Sequence, residues 1–207
     1  MSFAPADPRT FFLETLPAQF NAALREQERA VEAAERLLAG MRAVDATLRV
    51  EIEGEGGGTF FLNIASGLLS PGASPAHPPF LTLRQDRASF ERFAAEVGDS
   101  ALGFLGALSG LAQELRLTRA RIDLLGGLAG SVRFEVRGPG GFALLTHFGA
   151  APPPAAPTTS ITVDREAYRA LRAGELQPQE AFLGGQIQVE GDLQLAMQLA
   201  LATLAPD

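Results

Sequence analysis

The stretch from Gly174 to Leu204, GELQPQEAFLGGQIQVEGDLQLAMQLALATL, constrains the chain more tightly than any other. Pro178 can open a helical turn, since a proline at the first helical position gives up no needed donor. Gln179 to Leu183 reads as one or two turns of helix, stopped by Gly184-Gly185. Gln186 to Glu190 alternates polar and apolar residues, the period of a half-buried strand. Gly191 ends that strand, and Asp192 is suited to cap the helix that follows. In this last helix Leu193, Ala196, Met197, Ala200, Leu201 and Leu204 recur at the spacing of one apolar stripe. Leu195 and Leu199 lie off the stripe, so the helix carries more apolar surface than one core face needs. Something apolar must cover the remainder.

The order of these residues resembles the C-terminal signature of the sterol carrier protein type 2 family. Gly174, Leu176, Pro178, Ala181, Phe182 and Gly185 carry the first part of the likeness, and Ile187, Val189, Gly191, Asp192, Ala196 and Leu199 the second. Glu175 and Gln186 stand where the family pattern usually has lysine, so both departures remove positive charge. The likeness extends upstream to about Gln113. It implies a cavity between a sheet and the C-terminal helix, where family members hold sterols, fatty acyl chains or other lipids.

Composition narrows the alternatives. A chain of 207 residues with 46 % apolar and 20 % charged residues is expected to fold around a substantial core. Without cysteine it has no disulfide, thiolate metal ligand or thiol nucleophile. All 17 basic residues are arginine, which excludes lysine nucleophiles and Schiff bases. The net charge of −7 argues against nucleic-acid binding and against adsorption to anionic lipid. The N-terminus lacks the pattern of a secretory signal, and the apolar stretch Ala101 to Ala112 is too short to cross a bilayer of about 30 Å. A cytoplasmic protein without stable membrane insertion is expected.

Residues 1–16 read as an arm that docks through Phe11, Phe12 and Leu13 or stays mobile. A long helix is expected from Pro17 to Arg42, with Leu24, Val31 and Leu38 seven residues apart and Ala34 and Met41 supplying the companion positions. The simpler reading is a helix packed on its own sheet; the sharper one is a homodimer through this N-terminal helix. Thr47 to Glu53 is a strand with one wet face, joined through Gly54 to Gly58 to a return strand over Thr59 to Ile64. That glycine run leads into a strand rather than a helix and carries no lysine, so it is a hairpin and not a phosphate loop. Ser70 to Pro79 is a loop, Phe80 to Leu83 a short strand and Asp86 to Val97 a helix. The glycine-rich Asp99 to Leu111 is either a close-packed helix or a lid over a cavity.

Much of this order then recurs. Leu48 to Gly54 compares with Val132 to Gly138, and each is followed by a glycine turn, a return strand and a proline-rich loop. Ile161-Thr162-Val163 parallels Leu81-Thr82-Leu83, and the helix with Tyr168 and Leu171 parallels that with Phe90 and Phe93. Two tandem copies of one unit are inferred: a degenerate copy over 17–111 and a sterol-carrier-like, lipid-binding copy over 112–207. The expected fold is α+β, antiparallel sheets covered on one face by helices.

No catalytic constellation is apparent. His77 and His147 lack metal-ligand spacing, and Ser66 lacks the flanking glycines of a nucleophile elbow. Asp123, Asp164 and Asp192 fall in helix or cap contexts, and Arg116, Arg119 and Arg121 read as a solvated helix face. The chain is therefore expected to be no enzyme and to need no cofactor or metal. Its expected partner is a hydrophobic small molecule, a lipid or sterol. The lining expected for the cavity is Val132, Phe134, Val136 and Leu144 from the sheet, with Phe182, Leu193, Met197 and Leu201 from the helices. The alternative is a scaffold or interaction protein, such as an accessory factor in lipid or quinone metabolism, that kept the fold without a working cavity.

Overall fold

A computed structural model of the chain describes residues 7–98 and 116–204. Asp99 to Leu111, read above as packed helix or lid, lies outside them. The chain divides after Gly40 into two compact units.

In the first unit Asp7 accepts hydrogen bonds from the backbone and hydroxyl of Thr10, both at 2.9 Å, and starts a turn at Pro8–Thr10. A π-helical turn, Phe11–Thr15, leads into helix α1, Leu16–Arg42, whose last two residues belong to the second unit. Pro17 supplies the reason for the widened turn: it has no N–H to donate four residues back, and its ring crowds the preceding turn. No residue of α1 is buried. Within this unit Leu24 is 55 %, Val31 58 % and Leu38 45 % exposed, so the seven-residue stripe has no partner in its own unit.

The second unit is built on one eight-stranded sheet. Its strands are β1 (Ala46–Glu53), β2 (Gly58–Ala65), β3 (Leu68–Gly72), β4 (Pro79–Asp86), β5 (Gly130–Arg137), β6 (Ala143–Phe148), β7 (Thr159–Asp164) and β8 (Ile187–Gly191). They lie in the order β3-β2-β1-β4-β6-β5-β7-β8. The helices are α2 (Arg87–Val97), α3 (Arg119–Gly126), α4 (Arg165–Ala173), α5 (Pro178–Leu183) and α6 (Leu193–Leu204). The expected α+β class holds, with two refinements. The sheet is mixed, since β1 pairs with β4 and β5 with β7 in parallel. Part of the loop expected over Ser70 to Pro79 is strand: β3 pairs with β2 through Pro71, which an edge strand tolerates because one of its sides needs no donors.

Alternation explains the layering. Leu48, Val50 and Ile52 point with Leu81, Leu83, Val132, Phe134 and Val136 into one core, where they meet Phe93, Leu125, Tyr168 and Leu199 from the helices. The opposite face carries ion pairs such as Arg84 Nε to Glu51 Oε2 at 2.7 Å and Arg133 Nε to Glu135 Oε2 at 3.3 Å. Half-exposed pairs of this kind contribute little to stability.

The two halves of the sheet match in detail. Val50 pairs with Leu83 as Phe134 pairs with Ile161, and Glu53 with Asp86 as Arg137 with Asp164, so Leu83 corresponds to Ile161 and the sequence comparison of Leu81-Thr82-Leu83 with Ile161-Thr162-Val163 shifts by two residues. Gly57 N donates to Gly54 O at 3.0 Å, and Gly141 N to Gly138 O at 2.9 Å. Arg87 donates to Gly56 O, and Arg165 to Gly140 O. On the far side of β4 lies β6, antiparallel, in the position that β8 takes beside β7.

Candidate functional site

The last helix is fixed at both ends. Gly191 has φ +90°, and a Cβ there would meet Thr158 O at 2.3 Å, so only glycine makes this bend. Asp192 Oδ1 then accepts from Gln194 N at 2.9 Å and Leu195 N at 3.1 Å, satisfying two of the free donors at the helix start. At the other end Arg121 donates to Thr203 O at 2.8 Å. Arg121 is buried, so it leaves the solvated face read for the arginine cluster and holds a helix terminus instead.

Between those ends α6 shows two apolar faces. Leu195 (2 % exposed), Leu199 (1 %) and Ala202 pack into the core. Leu193, Met197 and Leu201 point the other way, and Leu201 is 70 % exposed. The leucines that lie off the sequence stripe thus form the packing face. The reason is that the neighbours of α6 meet it from the side of Leu125 and the sheet.

Beside the second face is a chamber of about 570 Å³, open on one side. Phe134, Ile161 and Val163 of β5 and β7 form its floor, and Ile187 and Val189 of β8 one wall. Leu171, Pro178 and Phe182 from α4 and α5 close another, opposite Leu193, Met197 and Leu201. Among the described residues that line it none carries a charge, and Gln177 and Gln179 are the polar ones. Solid packing supports the floor: Phe134 lies 6.1 Å from the Tyr168 ring and 6.4 Å from that of Phe142. Burial pushes the Tyr168 phenol above its ordinary range, with the Arg172 guanidinium 6.0 Å over the ring acting in the opposite sense.

Of the residues expected to line a cavity, the structure brings Phe134, Phe182, Leu193, Met197 and Leu201 together around this chamber. Val132, Val136 and Leu144 are buried in the core and are absent from the lining. Ile161, Val163, Leu171, Ile187 and Val189 were named in the sequence for the repeat or the family likeness, but not as cavity lining. Alternation in β8 carries the signal for its two, but nothing local tells which side of β7 and α4 faces a void. Elsewhere, His147 is buried, Asp123 pairs with Arg119 at 3.0 Å, and Asp192 serves as the cap described. Among the described residues no group of three or more histidine and carboxylate side chains gathers to hold a metal. No helix among them is long and apolar enough to cross a membrane.

The residues that line the chamber fall within the segment matched by a known family. Residues 111–202 match the SCP-2 sterol transfer family. Solved structures similar to the chain include sterol carrier protein 2 like 2 of Aedes aegypti, 20 % identical with a TM-score of 0.29, covering 54 % of this chain and 90 % of that one. Sterol carrier protein domain 2 of Helicoverpa armigera is 26 % identical with a TM-score of 0.30, covering 41 % and 77 %. Sterol carrier protein 2 of Yarrowia lipolytica is 13 % identical with a TM-score of 0.29, covering 56 % and 90 %. No curated protein matches. The SCP-2 segment begins before α3 and ends within α6, so β1 to β4 and α2 lie outside it.

Proposed function

We propose that the protein binds or transfers a hydrophobic small molecule, without catalysis, in the chamber between the sheet and α6. The observation that carries this reading is the open, uncharged chamber of about 570 Å³ inside the segment that matches the SCP-2 sterol transfer family. Such a volume lies in the range of small-molecule sites, and apolar walls supply affinity at roughly 25 cal/mol per Å² buried, before the cost of ordering the ligand. Phe134, Phe182, Leu193, Met197 and Leu201 are the proposed lipid contacts. A chamber of this size favours ligand binding over a scaffold that lost its cavity. The proposed compartment is the cytoplasm.

The reading has a second part. β1 to β4 with α2 form a degenerate copy of β5 to β8 with α4, supported by the matching registers, glycine turns and arginine contacts. In the first copy the position of β8 is taken by β6, so the second copy fills the place where a first chamber would open. The apolar stripe of α1 is proposed to pair two copies of the chain.

The chain has no tryptophan, so an extrinsic probe is needed. Purified protein is extracted with organic solvent and examined by mass spectrometry, and binding of the neutral dye Nile red is titrated. A stoichiometric co-purified lipid, or saturable dye binding lost in Met197→Glu, supports the chamber. Absence of both sinks it.

A further inference from the structure

One side chain in the chamber wall can be chemically converted between an apolar and a polar form. The chain has three methionines and no cysteine, so its oxidisable sulfur is all thioether. Met41 is half-buried in the last turn of α1. Met197 is 59 % exposed and lines the chamber between Leu193 and Leu201, on successive turns of α6. Leu195 and Ala202 form the packing side of the same helix and lie outside the lining. An oxidant in solution therefore has access to the Met197 side chain, and its product stands at the binding surface rather than in the core. A sulfoxide there is a poor neighbour for an apolar ligand. It carries a strong acceptor oxygen, and among the described lining residues only the side chains of Gln177 and Gln179 can donate to it.

We propose that Met197 is a redox-controlled gate of the chamber: peroxide converts its thioether to the sulfoxide, which weakens binding of an apolar ligand, and reduction restores it. The sulfur lone pair attacks one peroxide oxygen, the O–O bond breaks and an S–O bond forms. Sulfur gives up two electrons, and the peroxide leaves as water. A dithiol as reductant returns the thioether, with water and a disulfide as products. This rests on the chamber reading above and adds regulation to it. A ligand seated against Met197 also excludes the oxidant, so occupancy slows the oxidation.

The test uses the full-length protein with Nile red as the probe. The protein is treated with hydrogen peroxide, and peptide mass spectrometry reads the gain of one oxygen at each methionine. Nile red affinity is expected to fall about fivefold as the Met197 sulfoxide accumulates. Saturating dye is expected to slow that oxidation severalfold. The two methionine sulfoxide reductases, one for each sulfoxide epimer, are expected to restore the affinity. Met41→Leu is expected to respond to peroxide as the unmodified protein does, whereas the affinity of Met197→Leu is expected to be the same before and after treatment. Should Met197→Leu fail to fold, the time course in the unmodified protein decides: the loss must follow the Met197 sulfoxide and not the Met41 sulfoxide. Complete oxidation of Met197 with unchanged affinity overturns the gate and leaves the chamber reading standing, as does a loss that Met197→Leu shares. Equal oxidation rates with and without dye overturn the placement of Met197 against the ligand, and the gate with it. Untreated protein that shows no saturable dye binding overturns the chamber reading and the inference together.

Discussion

At the scale of single residues, local chemistry explains most of what fixes the turns. Asp86 caps α2 with both carboxylate oxygens, Oδ1 accepting from Ser89 N and Oδ2 from Ser89 Oγ, each at 2.8 Å. The Ser89 backbone N–H first, and its hydroxyl second, hold the Asp86 carboxyl below the usual carboxylate range, against a smaller opposing effect of burial. A depressed native pKa stabilises the fold above the unfolded pKa and loses that contribution as pH falls through the native value. Asp86→Ala is therefore expected to cost about 1 kcal/mol at neutral pH, a cost that shrinks below about pH 4; urea denaturation at pH 7 and at pH 3 measures both. Gly141 is a second such residue. A Cβ there would lie 2.1 Å from Val136 O, a backbone atom that cannot swing aside, and Gly57 stands in the same relation to Ile52 O. Gly141→Ala and Gly57→Ala are each expected to lose about 1–3 kcal/mol, read as a lowered urea midpoint. A loss confined to one of them would weaken the proposal that the two turns are copies.

Single elements separate stability from binding, and α6 does so most clearly. Leu195 sits in the core at 2 % exposure and outside the chamber's lining, whereas Met197, two residues later, borders the open chamber. Leu195→Ala is expected to cost about 3 kcal/mol in urea denaturation, by lost transfer energy and a residual cavity, and to leave Nile red binding unchanged. Met197→Ser is expected to leave stability within about 0.5 kcal/mol and to weaken Nile red binding severalfold. Equal effects from the two would contradict the division of faces. The sequence made the excess of apolar surface on this helix legible, since Leu195 and Leu199 fall off the Leu193–Leu204 stripe whatever the fold. Which face packs was not legible, because it depends on Leu125 and on strands far away in the chain. Most strands could be read because alternation over Leu48 to Glu53 and Val132 to Arg137 reports a face locally. β3 was missed because Leu68–Gly72 contains Ser70, Pro71 and Gly72, residues that read as a turn unless the strand is known to lie at an edge. For the site, Phe134, Phe182, Leu193, Met197 and Leu201 border the chamber as read, while Leu171 and Pro178 were not read as lining and Val132, Val136 and Leu144 were placed there but lie in the core. Alternation tells which face of a sheet a residue is on; it does not distinguish packed core from open chamber on that face.

At the scale of the whole molecule the exposed stripe of α1 poses an assembly question, since Phe20, Leu24, Val31 and Leu38 remain open to solvent along one helix. The seven-residue recurrence of Leu24, Val31 and Leu38 fits a second copy of the same helix, in which each stripe covers the other. Charge selects the direction. With Leu24, Val31 and Leu38 at the a positions of a heptad, Glu28 and Glu35 fall at e and Ala23, Ala30 and Leu37 at g. In a parallel pair e faces g, so the glutamates lie beside aliphatic side chains. In an antiparallel pair e faces e, bringing Glu28 of one copy near Glu35 of the other, and like charges repel. A parallel homodimer is thus expected, with light scattering giving twice the 21.8 kDa of one chain at micromolar concentration. Val31→Glu would bury a charge in the seam and is expected to return the protein to a monomer with its fold intact by circular dichroism. Glu28→Gln with Glu35→Gln is expected to leave dimer affinity nearly unchanged, whereas tighter association would indicate the antiparallel pair. A mass of one chain at every concentration up to about 100 μM, weaker than any affinity typical of a specific pair, would remove self-association from the reading.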